Sequence, residues 1–204
     1  MKNLILCILL VSMAAVVGCS NNDSGTNNNG GGGNAADYMP STSGSWWKYN
    51  TASDTARRSL GGSESYNGKT YQILIEDNST GRDTSFAFRT EGTILYTVVP
   101  KDSVSFQEVT FLNTTVGSTW NYSFTLSIGF LDVTTQITGK TVAAGLTRKV
   151  NGKDYTDVLQ IQNTVVSSFG SSTTNTYFAK GIGEIETVDP SGDKSETLTE
   201  YQIK

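Results

Sequence analysis

Residues 119–128 alternate between polar and apolar side chains, and this alternation constrains the fold more than any other feature of the chain. The polar positions hold Thr, Asn or Ser, and the apolar ones are Trp120, Tyr122, Phe124, Leu126 and Ile128. Side chains of a β-strand point alternately to the two faces of a sheet, so a period of two residues predicts a strand with one buried face. Shorter runs of the same kind occur at 71–75, 94–98 and 133–137.

Turn signals separate these runs and indicate how the strands are joined. Asn67-Gly68 and Asn151-Gly152 suit two-residue hairpins, because both central residues of such a turn need positive φ. Residues 78–81 and 190–192 are further turn candidates. We therefore predict an all-β protein, with a single antiparallel, hairpin-connected curved sheet of about ten strands. The sheet could close as a barrel or sandwich, or stay open as a half-barrel.

Two sequence motifs recur in the same order along the chain. Residues 44–49 and 117–122 share the pattern G-S-x-W-x-Y, and residues 67–71 and 151–155 share N-G-K-x-Y. An aromatic strand, a glycine and a β-branched strand follow in each copy. These repeats predict an internal duplication with copies near 44–98 and 117–188. Chance similarity between two hairpin-rich halves is the alternative.

The N-terminus has the layout of a bacterial export signal. Lys2 precedes an apolar run over residues 4–17, which is too short to span a bilayer comfortably. The run ends Val16-Val17-Gly18-Cys19, which resembles the lipobox, where the thiol is acylated with lipids such as palmitate and the chain is then cleaved. We predict a signal peptide at 1–18 and a lipid anchor on Cys19. An ordinary signal peptide with an incidental cysteine is the alternative.

The composition changes after Cys19 and again near residue 38. Residues 20–37 are rich in Gly, Asn and Ser and contain no large apolar side chain, so they cannot form a core. We interpret residues 19–37 as the lipidated cysteine and a disordered tether, and residues 38–204 as one β-rich domain. Cys7 leaves with the signal peptide and Cys19 is acylated, so the domain has no disulfide.

Motifs at the start, middle and end of the domain resemble those of a group of uncharacterised bacterial lipoproteins. Tyr38-Met39-Pro40, Gly44 and residues 47–49 are similar to their opening, Y-x-P-x-x-x-G-x-x-W-x-Y. Residues 116–120 fit their middle, and residues 177–185 are similar to their closing motif, Y-[FY]-A-x-G-[IV]-G-x-[IV]. The resemblance implies export and a β-rich fold. It carries over no catalytic residue.

Several classes of function are disfavoured by residues that the chain lacks. There is no histidine, which removes the usual Ser-His-Asp and Cys-His machinery and the His-based zinc or iron sites. Without Lys2, 14 basic side chains face 19 acidic ones, a net charge of −5 with no long basic run, which disfavours nucleic-acid binding. We predict no enzyme activity, no catalytic residues, no cofactor and no metal.

Acidic residues near the C-terminus are the remaining chemical candidates. Glu184 and Glu186 stand two apart on a predicted strand, so we expect both on the solvent face, opposite Ile185. A glycosidase-like carboxylate pair is the sharper alternative. Asp189 to Asp193 reads as a hairpin turn, with a calcium loop as its alternative.

The aromatic residues of the repeats are the most informative side chains. Trp47 and Tyr49 match Trp120 and Tyr122 in the repeat, and we predict that all four are structural anchors in the core. A sugar- or lipid-binding platform is the alternative for these rings. Trp46 matches Thr119, so we expect it on the polar face, as edge packing or as a possible ligand contact.

Two hypotheses of function follow. The first is a non-catalytic binding or interaction module at the cell envelope, held on a membrane by the lipid on Cys19, with a protein, glycan or lipid partner left open. The second is a carrier that encloses an apolar, lipid-like ligand within the curved sheet. Ser20, rather than Asp, follows the cysteine, which favours the outer over the inner membrane, on either the periplasmic or the surface face.

Overall fold

A computed structural model describes residues 32–102, 105–128 and 131–204. In these ranges one helical turn is followed by twelve strands. The elements are α1 (Ala35–Tyr38), β1 (Trp46–Thr51), β2 (Thr55–Tyr66), β3 (Lys69–Asn78), β4 (Gly81–Glu91), β5 (Ile94–Pro100), β6 (Phe106–Asn113), β7 (Thr119–Ile128), β8 (Leu131–Val150), β9 (Lys153–Ser167), β10 (Gly170–Ala179), β11 (Gly183–Val188) and β12 (Lys194–Gln202). No helix in this part of the chain is long and apolar enough to cross a membrane.

All twelve strands belong to one antiparallel sheet, which confirms the predicted fold class, with two strands more than expected. The spatial order is β6-β5-β4-β3-β2-β1-β12-β11-β10-β9-β8-β7. The sheet therefore consists of two six-stranded meanders, β1–β6 and β7–β12, joined where β1 pairs with β12. The G-S-x-W-x-Y motif leads into the first strand of each meander, and N-G-K-x-Y forms the turn between its second and third strands. The repeated motifs thus fall on equivalent strands, as a duplication requires.

The sheet curls into a nearly closed barrel with two different seams. At the first, β1 and β12 pair from Trp46 opposite Gln202 to Thr51 opposite Glu196, with one bulge. At the second, the edge strand β7 meets β6 and the β5–β6 connection through isolated contacts. The Gln107 side-chain amide donates to the Ser123 carbonyl at 2.6 Å, and the Thr125 N–H donates to the Lys101 carbonyl at 3.1 Å.

The two Asn-Gly turns have the predicted geometry. Asn67 and Gly68 have φ of 50° and 74°, and Asn151 and Gly152 have φ of 49° and 81°. Each turn closes a hairpin directly, with Tyr66 opposite Lys69 in the first. Asparagine and glycine tolerate the left-handed region better than other residues, which explains their selection here.

The interior contains two clusters of buried apolar side chains. One includes Trp47, Tyr49, Leu74 and Leu198, and the other is centred on Phe88, Leu95, Leu112, Leu159, Ile161 and Phe178. We call the face of the sheet that carries Trp47, Phe86 and Phe178 the inner face, because these three side chains line a common cavity. The opposite face is the outer face.

The N-terminal boundary of the domain lies earlier than predicted. Ala35 in α1 is fully buried, and its N–H donates to the Gly92 carbonyl at 2.9 Å. The Asp37 carbonyl accepts from the Gly181 N–H at 2.6 Å, and Thr114 Oγ1 donates to the Gly33 carbonyl. Residues 32–37 therefore belong to the domain and not to a tether. The sequence does not indicate that these residues belong to the domain, because their side chains are small and these contacts are made by their main-chain groups. The signal peptide, Cys19 and the rest of the tether lie outside the described residues.

Candidate functional site

A cavity of about 170 Å³ lies against the inner face of the sheet. Its walls are mostly aromatic and aliphatic, with one arginine and one glutamate. The lining residues are Met39, Trp47, Tyr49, Arg58, Leu74, Phe86, Phe111, Phe178 and Glu184. They come from β1–β4 and β6 of the first meander, β10 and β11 of the second, and the N-terminal segment. The cavity is therefore built by both meanders.

Phenylalanine rings connect the two sides of the barrel across this cavity. The ring of Phe111 on β6 lies 4.7 Å from that of Phe86 on β4, between centroids, at 58°. On its other side it meets Phe178 on β10 edge to face, at 6.4 Å and 89°. Edge-to-face and tilted contacts are the favourable arrangements for such rings. Phe111 thus holds the second meander against the first.

Trp47 and Tyr49 form the end of the cavity near the connection from β10 to β11. Trp47 is 2% exposed, and its indole N–H donates to the Ile182 carbonyl at 2.5 Å. Tyr49 is 3% exposed, and its hydroxyl donates to the Glu184 carbonyl at 3.1 Å. Both side chains therefore bury a ring and satisfy their polar atom beyond the neighbouring β12, Trp47 in the β10–β11 connection and Tyr49 on β11.

Arg58 on β2 holds three carboxylates at the polar wall of the cavity. Its Nε lies 2.9 Å from Glu76, its Nη1 lies 3.4 Å from Glu184, and its Nη2 donates to Glu196 at 2.8 Å. The four side chains are only 16–21% exposed. The guanidinium carbon stands 4.6 Å above the ring of Tyr49. We call these four charged residues the Arg58 cluster.

The Arg58 cluster has an excess of negative charge, because one guanidinium faces three carboxylates. Burial, reinforced by the charge of Glu184, raises the pKa of Glu196 to about 7. Burial and the charge of Glu184 also raise the pKa of the Tyr49 hydroxyl. Glu196 Oε1 lies 2.5 Å from Arg58 Nη1 but receives no well-directed hydrogen bond there, so this oxygen is paired by charge alone.

Glu184 and Glu186 do not share a face, which corrects the sequence prediction. Glu184 pairs with Phe178 and Glu186 with Tyr177, because a bulge at Ile185 shifts the register between them. Glu184 therefore points to the inner face and Glu186 to the outer one. Glu186 is also 1% exposed and not solvated. A glycosidase needs two converging carboxylates, and these two diverge.

Glu186 belongs to one of two charged clusters on the outer face. It lies 2.6 Å from Arg148 Nε and 2.7 Å from Lys194 Nζ, and Arg148 stands 3.5 Å above the ring of Tyr177. In the first meander, Glu108 accepts from both Arg89 Nε and Nη2, at 2.6 and 2.9 Å. These bonds lower the pKa of Glu108 to about 2. Each meander thus has its own buried or half-buried ion pair.

The acidic turn near the C-terminus makes local hydrogen bonds. Asp189 Oδ1 accepts from the Asp193 N–H at 2.9 Å and from the Ser191 hydroxyl at 2.6 Å. Gly192 has φ of 91°. These contacts are those of the hairpin interpretation.

The remaining aromatic candidates occupy less enclosed positions. Trp120, equivalent to Trp47 in the repeat, is half-buried against the second core cluster, and its ring covers Gly139 on β8. Tyr122 is half-buried, and burial raises its pKa to about 12. Trp46 lies on the outer face, where its indole N–H donates to Gln202 at 3.1 Å and Arg57 stands 4.9 Å above its ring. Trp46 also borders a shallow depression there.

Sequence reasoning missed the Arg58 cluster, although one signal was present. Ala56, Arg58 and Leu60 follow the period of two, which places the arginine on the same face as its apolar neighbours. A charged residue within an apolar stripe indicates a buried ion pair. Its three partners come from distant strands, and the sequence gives no sign of which carboxylates they are.

No protein-family model matches this chain, and no curated protein matches it either. Two solved structures are similar. One is a presumed exported protein with a YmcC-like fold from Bacteroides fragilis NCTC 9343, with a TM-score of 0.49 and 9% identity, over 81% of this chain and 98% of that one. The other is a presumed lipoprotein from Parabacteroides distasonis ATCC 8503, with a TM-score of 0.43 and 8% identity, over the same shares.

Proposed function

We propose that this chain is a lipid-anchored, non-catalytic binding module of the bacterial cell envelope, and that it takes a small ligand into the inner cavity. The observation that carries the proposal is the cavity itself, with apolar walls and a few convergent polar groups. That combination is typical of small-molecule sites. Because both meanders contribute to the walls, the site needs the complete sheet.

The volume limits the size of the ligand. Pockets for drug-sized molecules usually have about 300–1,000 Å³, whereas an apolar cavity of about 150 Å³ holds one benzene ring. At about 170 Å³, this cavity fits one ring or a short branched chain. A lipid carrier, the second candidate, would need more space. The lipid-carrier hypothesis is favoured by the few contacts at the second seam, because opening this seam would enlarge the cavity.

The envelope location rests on the N-terminal sequence. Val16-Val17-Gly18-Cys19 is the lipobox-like segment, and the motifs of the domain resemble those of bacterial lipoproteins. Two or three acyl chains make a stable anchor, since each buried methylene contributes about 0.8 kcal/mol. Ser20 favours the outer membrane. The absence of histidine and of a free thiol supports binding over catalysis.

Acylation is tested by labelling cells with radioactive palmitate. We expect label on the wild-type protein and none on the Cys19→Ala variant, which keeps its signal peptide because acylation precedes cleavage. Label retained by the variant, or missing from the wild type, would contradict the anchor.

Native mass spectrometry of protein released gently from membranes tests the binding function. We expect a bound molecule of small mass, lost in a Leu74→Phe variant whose larger side chain fills the cavity. A phospholipid bound to both proteins would instead favour the carrier. A ligand-free wild type that also takes up no small aromatic compound would contradict the proposal.

A further inference from the structure

We infer that the inner cavity selects an organic cation: a primary or alkylated ammonium group on a small ring or short chain, with Glu184 as its ion partner and aromatic rings as its walls. This inference rests on the proposed binding function and names the class of ligand. Four observations carry it: the charge of the Arg58 cluster, the bonding state of Arg58, the position of Glu184 and the chemistry of the walls.

The Arg58 cluster favours an added positive charge. When all four groups are ionised, three carboxylates surround one guanidinium, which leaves a charge of −2 in a region where the side chains are 16–21% exposed. Uncompensated charge is costly at such sites because little water screens it. The charged groups that face Glu196 are Arg58, Glu184 and Glu76. Arg58 is the one cation among them.

Arg58 is not available to an incoming anion. Each of its three nitrogens already contacts a carboxylate: Nε contacts Glu76, Nη1 contacts Glu184 and Glu196, and Nη2 contacts Glu196. A ligand carboxylate or phosphate would have to displace one of these groups and leave it buried without a partner. Anion binding is therefore disfavoured, although an arginine lines the cavity.

Glu184 is the carboxylate that a cation can reach directly. It lines the cavity, and its side chain is 19% exposed. Its Oε1 accepts from Thr187 at 2.8 Å, and within the described ranges its Oε2 accepts a single long bond, 3.4 Å, from Arg58. A carboxylate has about four acceptor positions, so Glu184 retains capacity for an ammonium donor.

The walls are suited to a cation rather than merely to an apolar group. Trp47, Tyr49, Phe86 and Phe111 line the space, and aromatic faces attract cations through their quadrupoles. Tyr49 already holds the guanidinium of Arg58 at 4.6 Å. The combination of several rings with one acidic group is the arrangement that proteins use to recognise alkylammonium ligands.

Proton linkage follows from the same geometry. Burial and Glu184 raise the pKa of Glu196 to about 7, so this carboxyl group is partly protonated at neutral pH. A cation beside Glu184 would lower that pKa and release a proton. Affinity for a permanent cation should therefore increase as the pH rises from 6 to 8, whereas affinity for a neutral ligand should change little.

The test uses three probes of similar shape: 4-fluorobenzylammonium, 4-fluorobenzyl alcohol and 4-fluorobenzoate. Binding to the lipidated protein in nanodiscs of zwitterionic lipid is followed by fluorine NMR, with empty nanodiscs as the blank. We expect the ammonium compound to bind at least about tenfold more tightly than the alcohol, and the benzoate to bind most weakly. 4-Fluorobenzyl-trimethylammonium, which cannot titrate, serves for the pH series.

A matched pair of variants locates the charge effect. Glu184→Gln should lower ammonium affinity about tenfold and leave alcohol affinity unchanged. Glu64→Gln, at an exposed glutamate on β2 away from the cavity, should change neither. Equal binding of all three probes to the wild type would overturn cation selection while leaving the binding function standing. Failure of every probe to bind would overturn the binding function as well. The wild-type ranking decides the question even if Glu184→Gln does not fold.

Discussion

Glu196 is a residue whose chemistry depends on its buried environment. A free glutamate has a pKa of 4.5, whereas that of Glu196 in the folded protein is raised to about 7, first by burial and then by Glu184. The folded state therefore binds more protons than the unfolded chain between these values. Stability should fall as the pH rises from about 4.5 to about 7. The pKa difference corresponds to at most about 3 kcal/mol.

Replacing the carboxyl group of Glu196 tests whether stability falls as the pH rises. We predict that Glu196→Gln reduces the decline in melting temperature between pH 5 and pH 8, because the variant has no carboxyl group to ionise there. Thermal melts of the two proteins across this range measure it. Glu108 does not interfere, since its pKa is lowered to about 2 and its contribution is lost only below about pH 4.5. A decline of equal size in both proteins would contradict the assignment.

The three tryptophans should differ in their contribution to stability. Replacing a buried aromatic residue by alanine costs about 3–5 kcal/mol, and small domains have only about 5–15 kcal/mol in total. Trp47 is 2% exposed, Trp120 is half-buried and Trp46 lies on the outer face. We predict the largest loss of melting temperature for Trp47→Ala, a smaller one for Trp120→Ala and the smallest for Trp46→Ala. A loss for Trp46→Ala as large as that for Trp47→Ala would show that the outer-face tryptophan is itself an anchor.

At the scale of elements, the contact between β7 and β8 depends on a glycine. Trp120 pairs directly with Gly139, and a Cβ atom at residue 139 would lie 2.1 Å from the indole ring. An aromatic ring over a cross-strand glycine covers the backbone that the glycine leaves exposed. The absence of a side chain at residue 139 is therefore part of the way Trp120 packs.

A double-mutant cycle tests this contact. We predict that Gly139→Ala destabilises the wild type by more than about 1 kcal/mol, because the indole ring must move. The same change in a Trp120→Ala background should cost clearly less. Urea unfolding of the four proteins gives the coupling free energy. Additive effects would mean that the ring does not rest on the glycine.

The sequence predicts those elements in which the period of two is unbroken. Residues 119–128 form β7 as expected, and both Asn-Gly turns form tight hairpins. Prediction fails where a bulge interrupts the alternation, as at Ile185, because one extra residue exchanges the faces of the side chains around it. The position and lining of the cavity could not be predicted from the sequence either, since they depend on how the two meanders curl together. Arg58 and Glu184, its polar groups, are 126 residues apart in the chain.

At the scale of the whole molecule, the two seams of the barrel should differ in stability. The β1–β12 seam is a paired ladder, whereas in the described residues β7 has only isolated hydrogen bonds to β6 and to the β5–β6 connection. Unpaired edge amides exchange through small local openings. We predict that the amides of β6 and β7 that point toward the second seam, away from β5 and β8, exchange at least about tenfold faster than the amides paired between β1 and β12. Hydrogen exchange measured by NMR checks this, and equal protection at both seams would indicate a fully closed barrel.

The packing of residues 32–37 determines the end of the barrel from which the N-terminal segment leaves. These residues contact Gly92, Thr114 and Gly181, which all lie in connections at one end of the barrel. For a chain acylated at Cys19, only about 13 residue steps separate the lipid from Gly32, a reach of at most about 45 Å. Under the proposed anchor, that end is where the tether joins the domain. The opposite pole has Leu131 at the start of β8 and Phe169 between β9 and β10, 55% and 56% exposed, and it is the end farther from that attachment point.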